Sequence, residues 1–378
     1  MNRRLRVIVS GGGTGGHIFP AISIANALKA LLPECEILFV GAQGKMEMER
    51  VPAAGYQIMG LPVSGLKRSF SLENLKLPYK ILKSLRIAGK IIHDFRPDIV
   101  VGVGGYASGP LLWMAGNKKT PYIIQEQNSF AGLTNRILSK RAEAICVAYP
   151  NMERFFPANK IILTGNPVRD GIRKPTEEMR KEARNHFGID SEKRSILIIG
   201  GSLGAGTLNR CIMKWIEENR DSNVEIIWQC GKFYRKDTEI FNKNNPRDFV
   251  KSFEFIKDMD LAYAASDIVI SRAGAGTISE LCIAGKAVIF VPSPNVAENH
   301  QMHNAMALVS MGAAMMIPDN LAYETLMKEA IELINKPERV SQLESGIEKF
   351  AIRDSAVTIA KKIISISLDS THVNRKRS

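Results

Sequence analysis

The chain has 378 residues, too many for one ordinary core and enough for two domains of comparable size. With 45% hydrophobic and 24% charged residues it is not a disordered chain, and no uninterrupted apolar segment is long enough to span a bilayer. The formal net charge of +13 admits nucleic acid, an anionic membrane surface or an anionic substrate, and nucleic acid is the weakest of these because the basic residues form no zinc-finger, homeodomain or RNP signature.

The N-terminus, MNRRLRVIVSGGG, sets basic residues before an apolar run that stops at Val9, so it lacks the apolar stretch of a signal peptide. Apolar, β-branched runs then recur with helical stretches between them. LRVIVSGG, EILFVG, DIVVGVGG, YIIQEQ and AICVAY read as buried parallel strands in the first half. SILIIGG, VEIIWQCG, DIVISRAG and AVIFVP repeat the scheme in the second. PAISIANALKALL, TLNRCIMKWIEEN and TISELCIAG read as helices. Alternation of strand and helix predicts a doubly wound α/β architecture, and its repetition predicts two Rossmann-like domains. The join falls at LTGNPVRDGIRKPTEE, giving domains at 1–166 and 167–366, with a basic, disordered tail at 367–378. Cys35, Cys146, Cys211, Cys230 and Cys282 are scattered and without a CxxC, which argues for a reducing cytoplasm and against a disulfide framework or zinc site.

Glycines stand repeatedly where strands end: GGGTGGH after the first strand, GVGGYASGP, GGSLGAGTLN and RAGAGTISE. Such loops can aim N–H groups at an anion. The first contains G-x-G-x-x-G at Gly11, Gly13 and Gly16, a dinucleotide fingerprint that should be followed by an acid at the end of the second strand. That strand ends in Ala42, Gln43 and Gly44, with no acid before Glu47, so NAD becomes an alternative. His17 stands at the start of the following helix, where the dipole disfavours imidazolium. It reads equally as a general base or as a loop cap.

The segment LKLPYKILKSLRIAGKII, residues 75–92, carries Lys76, Lys80, Lys83 and Lys90 at helical spacing, with Leu82, Leu85 and Ile92 on another side. It reads as a contact for anionic headgroups or as a solvated helix packed on its own domain. Arg169 could neutralise a diphosphate or lie on the surface beside the linker. Glu280 should project from the first turn of its helix, either as a dipole partner or as an acceptor for a ribose diol. AENHQMHNA, residues 297–305, could read sugar hydroxyls or simply start a polar helix. In KDMD the D-x-D precedes a helix, so Asp258 or Asp260 reads as an N-cap and no metal is expected.

Six segments, GGGTGGHIFPA, GVGGYASGP, QEQNSFAGLTN, GNPVR, GGSLGA and FIKDM…SRAGAGTISEL, in this order and covering nearly the whole chain, resemble the MurG family. The resemblance implies a GT-B fold of two Rossmann-like domains facing a cleft. It implies an inverting transferase without metal or other cofactor. Such an enzyme moves N-acetylglucosamine from UDP-N-acetylglucosamine to the 4-hydroxyl of the muramyl sugar of lipid I, giving lipid II for peptidoglycan. It further implies a peripheral enzyme on the cytoplasmic face of the cell membrane.

Carried over residue by residue, the resemblance makes His17 the base and sets Thr14, Gly15 and Gly16 near the donor's sugar and diphosphate. It puts Asn128 on the transferred sugar, Arg169 and Ser202 on the diphosphate, and Ile256 on uracil by backbone and side chain. Ala275, Gly276, Thr277, Ile278, Ser279 and Glu280 would line the nucleotide, with Glu280 on the ribose, and Gln301 would read the sugar. Gly104, Gly105, Tyr106, Ser108 and Glu126 would face the acceptor. Gln125 stands where the family often has His, and Gly276 where bulkier residues are common. Two rivals share the scaffold: a GT-B transferase with another acceptor, and a UDP-N-acetylglucosamine epimerase, which would consume no acceptor.

Overall fold

The computed structural model describes residues 4–63 and 77–375. The chain divides into two compact units, residues 1–169 with 353–378, and residues 170–352. In the first, the strands are β1 (Arg6–Ser10), β2 (Glu36–Ala42), β3 (Gln57–Leu61), β4 (Ile99–Gly102), β5 (Tyr122–Glu126), β6 (Ala144–Val147) and β7 (Ile161–Leu163). The helices between them are α1 (Gly15–Leu31), α2 (Glu47–Ala53), α3 (Leu77–Phe95), α4 (Ser108–Asn117) and α5 (Leu133–Leu138). All strands are parallel, in the order β3-β2-β1-β4-β5-β6-β7. Parallel strands lie beneath helices on both faces, which is why β1 and β4 read as unbroken apolar runs: Val7, Ile8, Val9, Val100 and Val101 are all fully buried.

The second unit repeats the plan. Its strands are β8 (Arg194–Ile199), β9 (Val224–Gln229), β10 (Val250–Phe253), β11 (Ile268–Ser271), β12 (Ala287–Phe290) and β13 (Met315–Met316), in the order β10-β9-β8-β11-β12-β13. Its helices are α6 (Glu177–Phe187), α7 (Gly206–Glu218), α8 (Arg235–Asn244), α9 (Met259–Ala265), α10 (Ala275–Ala284), α11 (His300–Val309), α12 (Asp319–Ile334) and α13 (Pro337–Glu348). Helix α6 shows how locally the ends are set: Thr176 Oγ1 accepts from Met179 N at 3.2 Å, and Gly188 closes it with a φ of 63°. Strand order reverses between β1 and β4 in one unit and between β8 and β11 in the other. Ligands of open α/β sheets sit outside the carboxyl ends of strands at such points, and all four glycine loops lie there.

Two expectations are corrected. Residues 353–366 belong with the first unit, because α14 (Ser355–Arg375) lays Ile359, Ala360 and Ile363 against Ile18, Ala21, Ile24 and Leu28 of α1. Helix α14 also runs on to Arg375, through most of the stretch expected to be disordered from 367. Composition alone does not reveal a helix whose apolar face is completed by a partner more than 300 positions earlier.

The amino-terminal edge of the second sheet holds charge. Asp267 meets Arg180 at 2.6 Å and accepts from Ser195 N at 2.8 Å, and Lys286 Nζ donates to Ser266 O at 2.8 Å. Burial pulls the Lys286 ammonium down to about 8, opposed by Glu344. All five cysteines are buried and unbridged. Burial pushes Cys35 and Cys211 up to about 11 and Cys146 and Cys282 up to about 12.

Candidate active site

In the first unit, the acid absent from the end of β2 arrives five residues later and does something else. Glu47 is fully buried. Its Oε1 accepts from Ala42 N at 2.9 Å and its Oε2 from Gly13 N at 2.9 Å. A Cβ on Gly12 would lie 2.1 Å from Glu47 Oε1, so this glycine makes room for a carboxylate of the protein's own. The Gly13 N–H therefore points inward and is unavailable to a pyrophosphate, which removes the basis of the NAD reading. Thr14, the N-cap of α1, and Gly15 and Gly16 in its first turn lie beyond this brace, half-buried to exposed. First-turn N–H groups have no acceptor within their own helix.

His17 occupies the third position of α1 and is half-buried. Its Nδ1 stands 3.3 Å from Thr14 Oγ1. Its ring lies close enough to Gly104 that a Cβ there would come within 2.6 Å of Cδ2 and 2.8 Å of Nε2. Gly104 has a φ of +100°, and Gly105, at +89°, would drive a Cβ to 2.3 Å from Gly12 O. The GVGGYASGP glycines thus dock one loop on the other and seat the imidazole. Tyr106 is exposed. Ser108 does not. It is fully buried, with its Oγ 3.0 Å from Ser10 O and 2.9 Å from Gly104 O, and it ties the two loops from beneath.

Glu126 is likewise corrected. It is buried, and its two oxygens accept four bonds: Oε1 from Asn128 N at 3.0 Å and Asn128 Nδ2 at 3.2 Å, Oε2 from Gly132 N at 3.1 Å and Asn135 Nδ2 at 2.8 Å. A carboxylate so saturated shapes the QEQN loop and presents Asn128, which is half-buried. Gln125 is buried too. Its Nε2 donates to Asn166 Oδ1 at 3.0 Å, its Oε1 accepts from Gln127 Nε2, and Asn166 Nδ2 donates to Gln127 O at 3.0 Å. This amide ladder fills the position where the family often carries His. Arg169, the last residue of this stretch of the unit, is exposed.

In the second unit, Ser202 stands exposed in the loop between β8 and α7. That loop is pinned by Gln229, at the end of β9, a buried residue to which sequence reasoning gave no role. Gln229 Nε2 donates to Gly201 O at 3.0 Å and its Oε1 accepts from Ile256 N at 2.9 Å, so one amide holds both loops. Ile256 is buried and its N–H is engaged by Gln229. Polarity at a strand's carboxyl end, beside the cysteine and glycine of VEIIWQCG, was the available signal for Gln229.

Ala275, Gly276, Thr277, Ile278 and Ser279 form the start of α10, whose N-cap, Gly274, has no side chain to spend on the first amides. A Cβ at Gly276 meets nothing within 4 Å, so the missing bulk there leaves packing undisturbed. Ile278 is buried and faces the core. Glu280 is the sixth residue of α10 and lies in its second turn, not its first. It is only 6% exposed, and Tyr263, itself buried on α9, donates its hydroxyl to Oε2 at 3.0 Å. Gln301, second in α11, accepts from Ser293 N at 2.8 Å through Oε1. Two left-handed residues, Glu298 and Asn299, precede it at φ 49° and 54°. Arg272 reaches Val291 O at 2.9 Å and Asp319, which also accepts from Thr207 Oγ1 at 3.0 Å, bracing the starts of α7 and α12. Asp258 holds the N-cap position of α9 without a side-chain cap bond. Among the described residues no three His, Cys, Asp or Glu side chains converge.

The helix expected to meet headgroups is α3, and Lys76 lies outside the described residues. Ile92 is buried in its own unit and Leu85 is half-buried, so neither belongs to an outer face. Tyr79, Ile81 and Leu82 are exposed beside Lys83, Arg86 and Lys90. Trp113 on α4 and Ile137 on α5 are further exposed apolar residues of this unit. No described helix is long and apolar enough to cross a membrane.

Residues 7–147 match the glycosyltransferase family 28 N-terminal domain and residues 195–359 its C-terminal domain. A protein of Parabacteroides distasonis is 53% identical over 364 residues, 96% of this chain and 99% of its own. One of Bacteroides fragilis is 54% identical over 370 residues, 97% of each. Both are named UDP-N-acetylglucosamine–N-acetylmuramyl-(pentapeptide) pyrophosphoryl-undecaprenol N-acetylglucosamine transferase. Among solved structures, Acinetobacter baumannii MurG superposes with a TM-score of 0.77 at 28% identity, covering 96% of this chain and 99% of that one. A UDP-N-acetylglucosamine 2-epimerase reaches 0.60 at 14% identity over 96% of this chain and 95% of its own, a likeness of fold alone. With both family 28 domains matched and relatives above half identity along nearly its whole length, this chain belongs to the MurG family of glycosyltransferases.

Proposed function

We propose that this chain transfers N-acetylglucosamine from UDP-N-acetylglucosamine to the 4-hydroxyl of the muramyl sugar of lipid I, giving lipid II with inversion at the anomeric carbon. The names of its close relatives support the substrates. The observation that carries the mechanism is the seat of His17, an imidazole set against Gly104 with its Nδ1 beside a threonine hydroxyl. With Nδ1–H donating to Thr14 Oγ1, Nε2 keeps its lone pair and accepts the acceptor hydroxyl's proton. The hydroxyl oxygen forms the new bond to the anomeric carbon as the bond to the diphosphate breaks, and UDP leaves with the electron pair. Positioned base assistance of this kind is worth about 10²–10⁴-fold in rate.

Charge gathering on the departing diphosphate is met by the first amides of α7 and α10, by Ser202 and by Arg169. Ile256 offers its carbonyl to the uracil N–H, the run Ala275 to Ser279 lines the nucleotide, and Glu280, oriented by Tyr263, accepts from the ribose. Asn128 and the side-chain amide of Gln301 address the sugar, with Thr14, Gly15 and Gly16 near it. Gly104, Gly105 and Tyr106 border the acceptor. The exposed Tyr79 and Leu82, among Lys83, Arg86 and Lys90, rest on the cytoplasmic face of the membrane that carries the lipid acceptor.

The test is transfer from labelled UDP-N-acetylglucosamine to a short-chain lipid I analogue, by wild type and His17→Ala. Acceptor-dependent transfer that collapses in the variant with donor binding intact is the expected result. Survival within a few-fold would reduce His17 to a loop residue. Turnover of the donor without acceptor would favour an epimerase.

A further inference from the structure

Arg136 and Arg154 come from different elements of the first unit, α5 and the 3-10 turn Met152–Arg154, yet their guanidinium groups converge on one ring. Arg154 Cζ lies 4.7 Å and Arg136 Cζ 5.6 Å from the centroid of Phe155. That ring is set edge-on against Phe130 at 4.9 Å. Both arginines are exposed, and among the described residues neither has a carboxylate at ion-pair distance. Other exposed arginines of this protein do: Arg4 pairs with Glu34, and Arg235 with Glu239 and Glu254. Arg154 spends one N–H on Ser129 O at 3.0 Å, and the Arg136 side chain makes no hydrogen bond to any described residue.

The pair is also fixed to the loop that presents Asn128. Ser129 and Phe130, which hold Arg154 and Phe155, follow Asn128 directly. Glu126, which orients Asn128, also holds Asn135, the neighbour of Arg136. Two like charges thus meet one ring beside the loop that presents Asn128, with no carboxylate at ion-pair distance among the described residues. Contact with a shared ring, and the bond from Arg154 to Ser129 O, restrict both side chains in advance, so less rotamer freedom is lost when an anion arrives. A guanidinium fork matches a carboxylate two bonds at a time.

We propose that Arg136 and Arg154 form a binding site for the carboxylate of the acceptor's peptide stem. This inference rests on the reading of the acceptor as a lipid-linked muramyl pentapeptide. A peptide joined to the sugar through its amino end keeps a free C-terminal carboxylate, and the clamp supplies the complementary charge on the loop that carries Asn128.

The experiment compares two short-chain lipid I analogues, one with a C-terminal carboxylate and one with the carboxamide. The enzymes are wild type, Arg136→Lys and the double variant Arg136→Gln/Arg154→Gln. Wild type is expected to show a KM roughly three- to tenfold lower for the acid at similar kcat. The double variant raises KM for the acid alone, and Arg136→Lys, which keeps the charge without the fork, retains part of the preference. Equal KM for acid and amide in wild type overturns the proposal. So does a double variant whose sole deficit is sedimentation with phosphatidylglycerol vesicles, which would assign the cations to headgroups. Calorimetric titration with soluble muramoyl pentapeptide and its carboxamide needs no transfer. Should wild type transfer to neither acceptor yet bind the acid more tightly, the functional reading fails and the site stands. Indifference to the carboxylate in that titration removes the site.

Discussion

Replacing Gly104 with alanine puts one methyl group where the His17 ring lies. The added Cβ would stand 2.6 Å from Cδ2 and 2.8 Å from Nε2, against ordinary contacts of 3.4 Å or more, so the imidazole must retreat by about 0.8 Å. Backbone strain adds to this, because the φ of +100° is one that a residue with a Cβ rarely adopts, at about 1–3 kcal/mol. Misplacing a reacting group by about 1 Å can lower a rate by roughly 10²-fold. Gly104→Ala is therefore expected to cut kcat for transfer to the lipid I analogue by about 10- to 100-fold. UDP binding should stay within about twofold, since Gly104 and the loops of Ser202 and Ala275–Ser279 belong to different units. Far-UV circular dichroism and the melting midpoint establish that the variant is folded. Gly116→Ala on α4, whose new methyl comes no nearer than 3.4 Å to Tyr122 and Arg141, is the control and should keep wild-type rates. A folded Gly104→Ala enzyme with kcat within threefold of wild type would refute the claim that this glycine sets the position of the base.

Three further outcomes follow from the same geometry. Glu47→Gln keeps the shape of the brace but turns an NH₂ toward one of two backbone N–H groups; kcat should fall at least tenfold at nearly unchanged donor affinity, while an unchanged kcat in steady-state assays would show that the loop holds without its carboxylate. Gln229→Leu releases Gly201 O and Ile256 N together, so UDP affinity by calorimetry should weaken by about 10-fold; equal affinity would mean the two loops are held by other contacts. Stability should fall as pH rises above 9, because thiols raised to about 11 in Cys35 and Cys211 and about 12 in Cys146 and Cys282 stay protonated in the fold after their unfolded counterparts have ionised. Each contributes a loss of about 1.4 kcal/mol per pH unit until its folded value is passed. Lys286, lowered to about 8, acts in the opposite sense between there and its unfolded value near 10.5 and offsets one thiol. Urea midpoints that do not decline from pH 9 to 11 would contradict the burial argument.

The sheets and the four loops could be read from the chain because fully buried parallel strands leave continuous apolar runs, and strand ends that need positive φ leave glycines. Which polar groups face a ligand could not. Glu126 and Ser108 sit in the right loops and look like ligands of a substrate. Only coordinates show that one is saturated by Asn128, Gly132 and Asn135, and that the other is sealed beneath Ser10 and Gly104. The roles of Glu47 and Gln229 are hidden for the converse reason. Each acts by holding backbone from another element, and sequence spacing does not name the partner, even where polarity at a strand's carboxyl end marks Gln229. Helical spacing grouped Leu85 and Ile92 with Leu82, yet burial separates them, because period alone does not say which side of a helix its own domain covers.

The return of α14 to the first unit makes the second unit an insertion within the first. On the ribosome, β1 to β7 emerge early, but the helix that covers Ile24 and Leu28 of α1 is synthesised only after all of residues 170–352. The first unit must wait with an uncovered apolar stripe while the second, which is continuous in sequence, can fold at once. Shortening the chain from its C-terminus before residue 355 would therefore damage the opposite end of the sequence: the second unit would survive, and the unit bearing His17 would lose part of its core.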